Sequence, residues 1–125
     1  MKFFFDNCLS RFIAETLERL KVDVRHLQHE FPADIKDVEL LACVGKEGWT
    51  FVTVDGRIRK NSVEAEALRK ANIVSVFIPR EFQKKDAWEQ TIWMLKHWRD
   101  IAKCAEGSSP GTVVSVKFSG KPERQ

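Results

Sequence analysis

Three aspartates stand where they could do chemistry together. Asp6 follows the apolar run KFFF, Asp37 opens the segment DVELLACV, and Asp55 follows TFVTV. Carboxylates gathered on one rim repel one another. A hard divalent cation such as Mg2+ is the simplest compensation, because it takes oxygen ligands and keeps several waters. An ion held by carboxylates over an open cleft suits hydrolysis of a phosphodiester, by activating water and stabilising the charge on phosphorus. Each aspartate also has a local reading. Asp6–Asn7 can turn the chain, Asp37 can cap a helix, and Asp55–Gly56 can tip a hairpin, since TFVTV and RIRK alternate on either side of it.

Other residue types with a bearing on chemistry lie nearby and further along the chain. Arg57, Arg59 and Lys60 follow Asp55 closely. They suit contacts with a phosphate backbone, or equally a solvated charged surface. His26 and His29 lie three apart, but no second pair completes a zinc set, so His26 reads as strand packing and His29 as loop surface. The chain has no Cys–His or Ser–His arrangement at a usable spacing and no glycine-rich phosphate loop.

The elements that must position the acids follow from periodicity. Strands are predicted over residues 2–5, 22–27, 50–54, 73–78 and 113–118. Helices are predicted over 10–20, with Phe12, Ile13, Leu17 and Leu20 inward; over 38–44; from Asn61 to Lys70; and from Asp86 to about Lys103, with Trp88, Ile92, Leu95 and Ala102 inward. Residues 28–36, which include Pro32, read as a loop, and 119–125 as a frayed tail. Alternating strands and helices predict an α/β fold with a mostly parallel central sheet. In such sheets ligands bind outside the carboxyl ends of the strands, where Asp6 and Asp55 would lie.

Composition sets the outer bounds. A chain of 125 residues, 43% hydrophobic, reads as one folded domain over 1–118 followed by the tail. A net charge of +3 permits a nucleic-acid partner without requiring one. Cys8, Cys43 and Cys104 are odd in number and form no C-x-x-C, which fits reduced thiols in the cytoplasm. No apolar run is long enough for a membrane span. Trp93 and Trp98 project away from the predicted inward stripe of the last helix. They read either as part of a wide core face or as an interface for a homodimer or another protein.

FFFDNCLSRFIAETL and KDVELLACVGKEGWTFVTVDGRIRKN together resemble the compact PIN-like domain of the VapC-type toxin ribonucleases. The likeness is specific over residues 3–16 and 37–60 and looser through AWEQTIWMLKHW to the last strand. It implies a three-layer α/β/α fold around a sheet of four to five strands. It also implies a Mg2+- or Mn2+-dependent endoribonuclease, usually the toxin half of a toxin–antitoxin pair, with an antitoxin protein as partner. Asp6, Asp37 and Asp55 match the acidic metal-binding positions, and Thr53 and Asn7 match the residues beside the last and first acids. Glu39 is a further acid near the second. Longer PIN domains carry another acid after the third-strand position, whereas here none follows Asp55 until Glu64. The rival from another class is a phospho-receiver domain with Asp55 phosphorylated. That rival lacks the acid pair after strand one and leaves Asp37 without a role. A third reading is a PIN-like binding module with weak or no catalysis.

Overall fold

The computed structural model describes all 125 residues apart from the side chains of Arg57 and Arg59. The phosphate-contact expectation for those two arginines therefore lies outside the described residues. In chain order the elements are β1 (Phe3–Phe5), α1 (Arg11–Arg19), β2 (Val24–His26), α2 (Leu27–Glu30), α3 (Asp37–Glu47), β3 (Thr50–Val54) and α4 (Arg57–Lys60). They continue with α5 (Ser62–Ala71), β4 (Ser75–Ile78), a 3-10 turn over Arg80–Lys84, α6 (Ala87–Glu106), β5 (Val113–Val116) and β6 (Pro122–Arg124).

The strands form one sheet in the order β2-β1-β3-β4-β5-β6, parallel throughout except for β6. The fold is α/β with helices on both faces of the sheet. Alternation along β1 shows how the layers are filled. Phe3 and Phe5 face a core shared with Ile13 and Leu17 of α1 and with Met94, Trp98 and Ile101 of α6. Phe4 faces the opposite core, with Leu40, Leu41 and Val44 of α3 and Ile58 of α4. All three phenylalanines are buried because β1 is central and covered on both sides.

Helix starts follow local chemistry. Ser10, Asn61 and Asp86 each accept a backbone N–H of the following first turn, capping α1, α5 and α6. The α3 helix has no side-chain cap, and Asp37 is its first residue rather than its cap. Asp37 and Glu39 there complement the positive end of the helix dipole. Gly45 lets α3 lie close on α5, since a Cβ at that position would come within 2.9 Å of the Ala71 Cβ.

The structure departs from the sequence reading in five places. Residues 57–60 form a helical turn, so Asp55–Gly56 does not tip a hairpin. The expected loop after β2 opens with the short helix α2. Phe12 and Leu20 of α1 are exposed, and Ile13, Ala14 and Leu17 carry its buried face. The buried face of α6 is Trp93, Met94, Trp98, Ile101, Ala102 and Ala105, whereas Trp88, Ile92 and Leu95 are exposed. The end of the expected tail is ordered as β6, antiparallel to β5, which makes six strands. Among the described residues no helix is long and apolar enough to cross a membrane.

Candidate active site

The chain leaves β1 to build β2 on one side of it, then returns to build β3 on the other. This reversal opens a crevice at the carboxyl ends of β1 and β3, the place where open parallel sheets bind ligands. Asp6 and Asp55 stand at those two ends. Asp6 N–H donates to the Val52 carbonyl at 3.0 Å, and Asp55 N–H donates to the Ile78 carbonyl at 2.7 Å, so both backbones are held in the sheet. Alternation from Phe51 through Thr53 to Asp55, and from Phe4 to Asp6, brings these polar side chains to one side of the sheet.

Asp6, Thr53 and Asp55 line one cleft of about 750 Å3. The Asp6 carboxylate is oriented through both oxygens. Asn7 N–H donates to Oδ1 at 2.8 Å and the Thr53 hydroxyl donates to Oδ2 at 2.9 Å. Because the Thr53 proton is committed to Asp6, the Cys8 thiol donates to Thr53 Oγ1 at 3.3 Å and only grazes Asp6 Oδ2 at 3.8 Å. Val54 N–H in turn donates to the Cys8 sulfur at 3.3 Å. Burial of the sulfur, and next the charge on Asp6, push the Cys8 thiol above its ordinary pKa. Cys8 is thus a protonated donor that buttresses the carboxylate, although the residue as a whole is exposed.

Lys60, Arg80, Gln83 and Lys84 complete the rim. Arg80 Nε–H donates to the Asp55 carbonyl at 3.2 Å, which holds the guanidinium over the cleft. Arg80, Gln83 and Lys84 all come from the 3-10 turn after β4. The sequence reading missed them, along with Cys8. The signal was available in part, since Pro79 closes β4 at the same sheet end as Asp55.

Asp37, Glu39 and the Asn7 side chain are not among the residues lining this cleft. Asp37 lines the neighbouring cleft with Asn61 and Glu64, because α3 packs along α5 and directs its first turn at the α5 N-terminus. Glu39 is exposed on the same turn of α3. The Asn7 side chain accepts a 2.8 Å bond from Gln28 Nε2, tying the loop after β1 to α2. Among the described residues, no three His, Cys, Asp or Glu side chains are grouped as they would be around one ion. Among the described residues, the oxygen groups lining the cleft include the Asp6 and Asp55 carboxylates and the Thr53 hydroxyl. That set suits a hard cation which keeps most of its waters, as Mg2+ does with one or two carboxylates.

His26 is wholly buried behind the site and acts structurally. Its Nδ1 accepts from Gln28 N–H at 3.1 Å, so the Nε2–H donates to the Leu9 carbonyl at 2.6 Å. That bond fixes the loop following Asp6.

The family model described as a PIN like domain matches residues 1–80. This span takes in β1, β3 and every residue lining the two clefts except Gln83 and Lys84. No curated protein and no solved structure matches the chain.

Proposed function

The chain belongs to the PIN-like domain family, and from that premise we propose that it is a Mg2+- or Mn2+-dependent endoribonuclease working at the Asp6–Asp55 cleft. The observation that carries this reading is the pairing of two carboxylates with a cationic rim. Asp6 and Asp55 lie in one crevice, and Lys60, Arg80 and Lys84 line the same cleft. Acids alone would repel a polyanion, and cations alone would only bind it. Together they suit cleavage of a phosphodiester.

Asp6 and Asp55 would hold the ion, which when bound would supply an activated water and offset charge on the scissile phosphate. The chain's own groups do the rest. Asn7 N–H and the Thr53 hydroxyl keep the Asp6 carboxylate in one orientation, so its oxygens need not reorganise during the reaction. Lys60, Arg80 and Lys84, which line the cleft, bind the phosphates flanking the scissile one. Asp37, one cleft away, acts at a distance by adding negative potential.

The finer reading is the toxin of a toxin–antitoxin pair, acting in the cytoplasm with an antitoxin protein as partner. The family likeness over residues 3–16 and 37–60 supports it. Induction of the chain in a host cell should then arrest growth, and Asp6→Asn should relieve the arrest. A second reading, a PIN-like binding module without turnover, draws on the separation of Asp37 from the Asp6–Asp55 pair.

One experiment separates these readings. Purified chain is incubated with labelled single-stranded and structured RNA in Mg2+, Mn2+ or chelator. The nuclease reading expects metal-dependent cleavage that Asp6→Asn and Asp55→Asn each lower by roughly 100-fold or more, and that Asp37→Asn lowers by only about tenfold. RNA binding without cleavage in any metal would leave the binding module. Equal cleavage by wild type and Asp6→Asn would sink the site assignment.

A further inference from the structure

The exposed face of α6 carries an apolar row that the fold does not use. Trp88 is 77% exposed, Ile92 52% and Leu95 38%, which is unusual on a helix whose other face is fully packed. Arg99, also exposed, continues the row. The intervals from Trp88 to Ile92, Leu95 and Arg99 are four, three and four residues, the a/d spacing of a helix–helix seam. Beside it lies a shallow cleft of about 420 Å3 with Ile92, Trp93 and Phe118 in its wall, which extends the apolar surface. All of α6 falls outside the family match, which ends at residue 80.

We infer that this face is a dimer interface, and that its occupant is the α6 of a second copy, packed antiparallel. The argument is self-complementarity. In an antiparallel a-to-d pairing, Ile92 of one copy meets Leu95 of the other, twice, at the centre. Trp88 meets Arg99 at both ends, where a guanidinium over an indole is favourable. The flanking positions then set Glu89 against Lys96 of the second copy, again twice. In a parallel pairing Lys96 would instead face the opposite flank of the second copy, beside Thr91, so the Glu89–Lys96 exchange belongs to the antiparallel arrangement alone. Glu89 can make this exchange easily, because its present contact is Lys85 Nζ at 3.9 Å, the outer limit of an ion pair. Lys85 is itself held over the Phe118 ring at 5.4 Å. The seam is short, so the dimer forms in the micromolar range. Its existence does not depend on nuclease chemistry.

Sedimentation velocity on the full chain from about 1 to 200 μM tests this across the affinity range expected of such an interface. Wild type should pass from one chain to two over that range. Ile92→Glu, on an exposed position that leaves the core intact, should stay monomeric with an unchanged circular dichroism spectrum. Glu89→Lys and Lys96→Glu should each weaken the dimer about tenfold, and the double swap should restore it to within about threefold. A wild type that stays monomeric would overturn the inference and leave the row to a helix of another protein. A dimer indifferent to Ile92→Glu would overturn it by locating the contact elsewhere. Failure of the double swap to recover affinity would overturn the antiparallel pairing.

Discussion

The Thr53 hydroxyl donates a 2.9 Å hydrogen bond to Asp6 Oδ2 across the boundary between β1 and β3. It joins two residues that are 47 apart in sequence, and it fixes one carboxylate of the candidate site from the neighbouring strand. Thr53→Val keeps the shape of the side chain and removes the bond. The substitution should cost about 1 kcal/mol of stability in urea unfolding. It should also lower RNA cleavage roughly tenfold or more, as loss of a group orienting a metal-binding carboxylate does. Thr53→Ser retains the hydroxyl and should retain most of the activity.

The cationic rim makes a separable prediction. Lys84 lines the cleft, and the described hydrogen bonds to the Asp6 carboxylate come from Asn7, Thr53 and Cys8. Lys84→Ala should weaken RNA binding and reduce the slope of log affinity against log salt by about 0.7, one single-strand phosphate contact. The cleavage rate at saturating RNA should be nearly unchanged. Arg80→Ala should lower both, because Arg80 also bonds the Asp55 carbonyl. Fluorescence anisotropy across a salt series, with single-turnover kinetics, checks both expectations.

Burial of His26 predicts the pH dependence of stability. Desolvation, the largest cause, pulls its pKa below the ordinary 6.5, partly opposed by its bond to the Leu9 carbonyl. In the window between the lowered folded value and 6.5, the unfolded chain binds the proton and the folded chain does not. Stability therefore rises with pH across that window, and is lost as pH falls from 6.5 toward the folded value. His97 is shifted the same way, by burial and by Lys96, so the comparison belongs in a His97→Gln background. There, His26→Gln should flatten the stability profile below pH 6.5. A profile still steep in the double variant would assign the effect to other groups.

Gly120 turns the chain from β5 into β6 with φ +94°, and a Cβ there would overlap the His97 imidazole. Gly120→Ala should destabilise the fold by about 1–3 kcal/mol from backbone strain and collision together. In a His97→Ala background the same substitution should cost less but still more than zero, since the strained φ remains. Equilibrium urea unfolding of the four variants separates the two contributions.

The sequence was most informative where a single physical rule acts alone. The strand runs FFF and TFVTV are too apolar to lie anywhere but the middle of a sheet, and both do. Ser10, Asn61 and Asp86 cap helices because their side chains reach only a few residues along the chain. It was least informative on α6, where two faces compete. Met94, Trp98, Ile101 and Ala105 repeat at intervals of four, three and four, and so do Trp88, Ile92, Leu95 and Arg99. Periodicity ranks the two faces equally, and only the sheet beneath decides between them. There Phe3 and Phe5 meet the Trp98 ring edge-on at 4.8 and 5.6 Å. The crevice was legible for Asp6 and Asp55, which simply end strands. It was not legible for Arg80, whose approach to Asp55 depends on β4 lying beside β3, nor for Asp37, whose direction depends on the α3–α5 packing.

The short strand β6 has a consequence for the molecule in a crowded solution. Without it, Val113–Val116 would end the sheet as a bare row of hydrogen-bonding groups on an apolar strand, the kind of edge on which chains stack into aggregates. β6 occupies that edge with three residues. It begins with Pro122, which has no N–H to offer, and continues with Glu123 and Arg124. Arg124 is pinned to the Cys104 carbonyl at 3.1 Å and to Ser108 Oγ at 2.8 Å. The far edge, β2, is also only three residues long. Both borders of the sheet are thus strands of only three residues, which offer another chain few backbone groups to pair with.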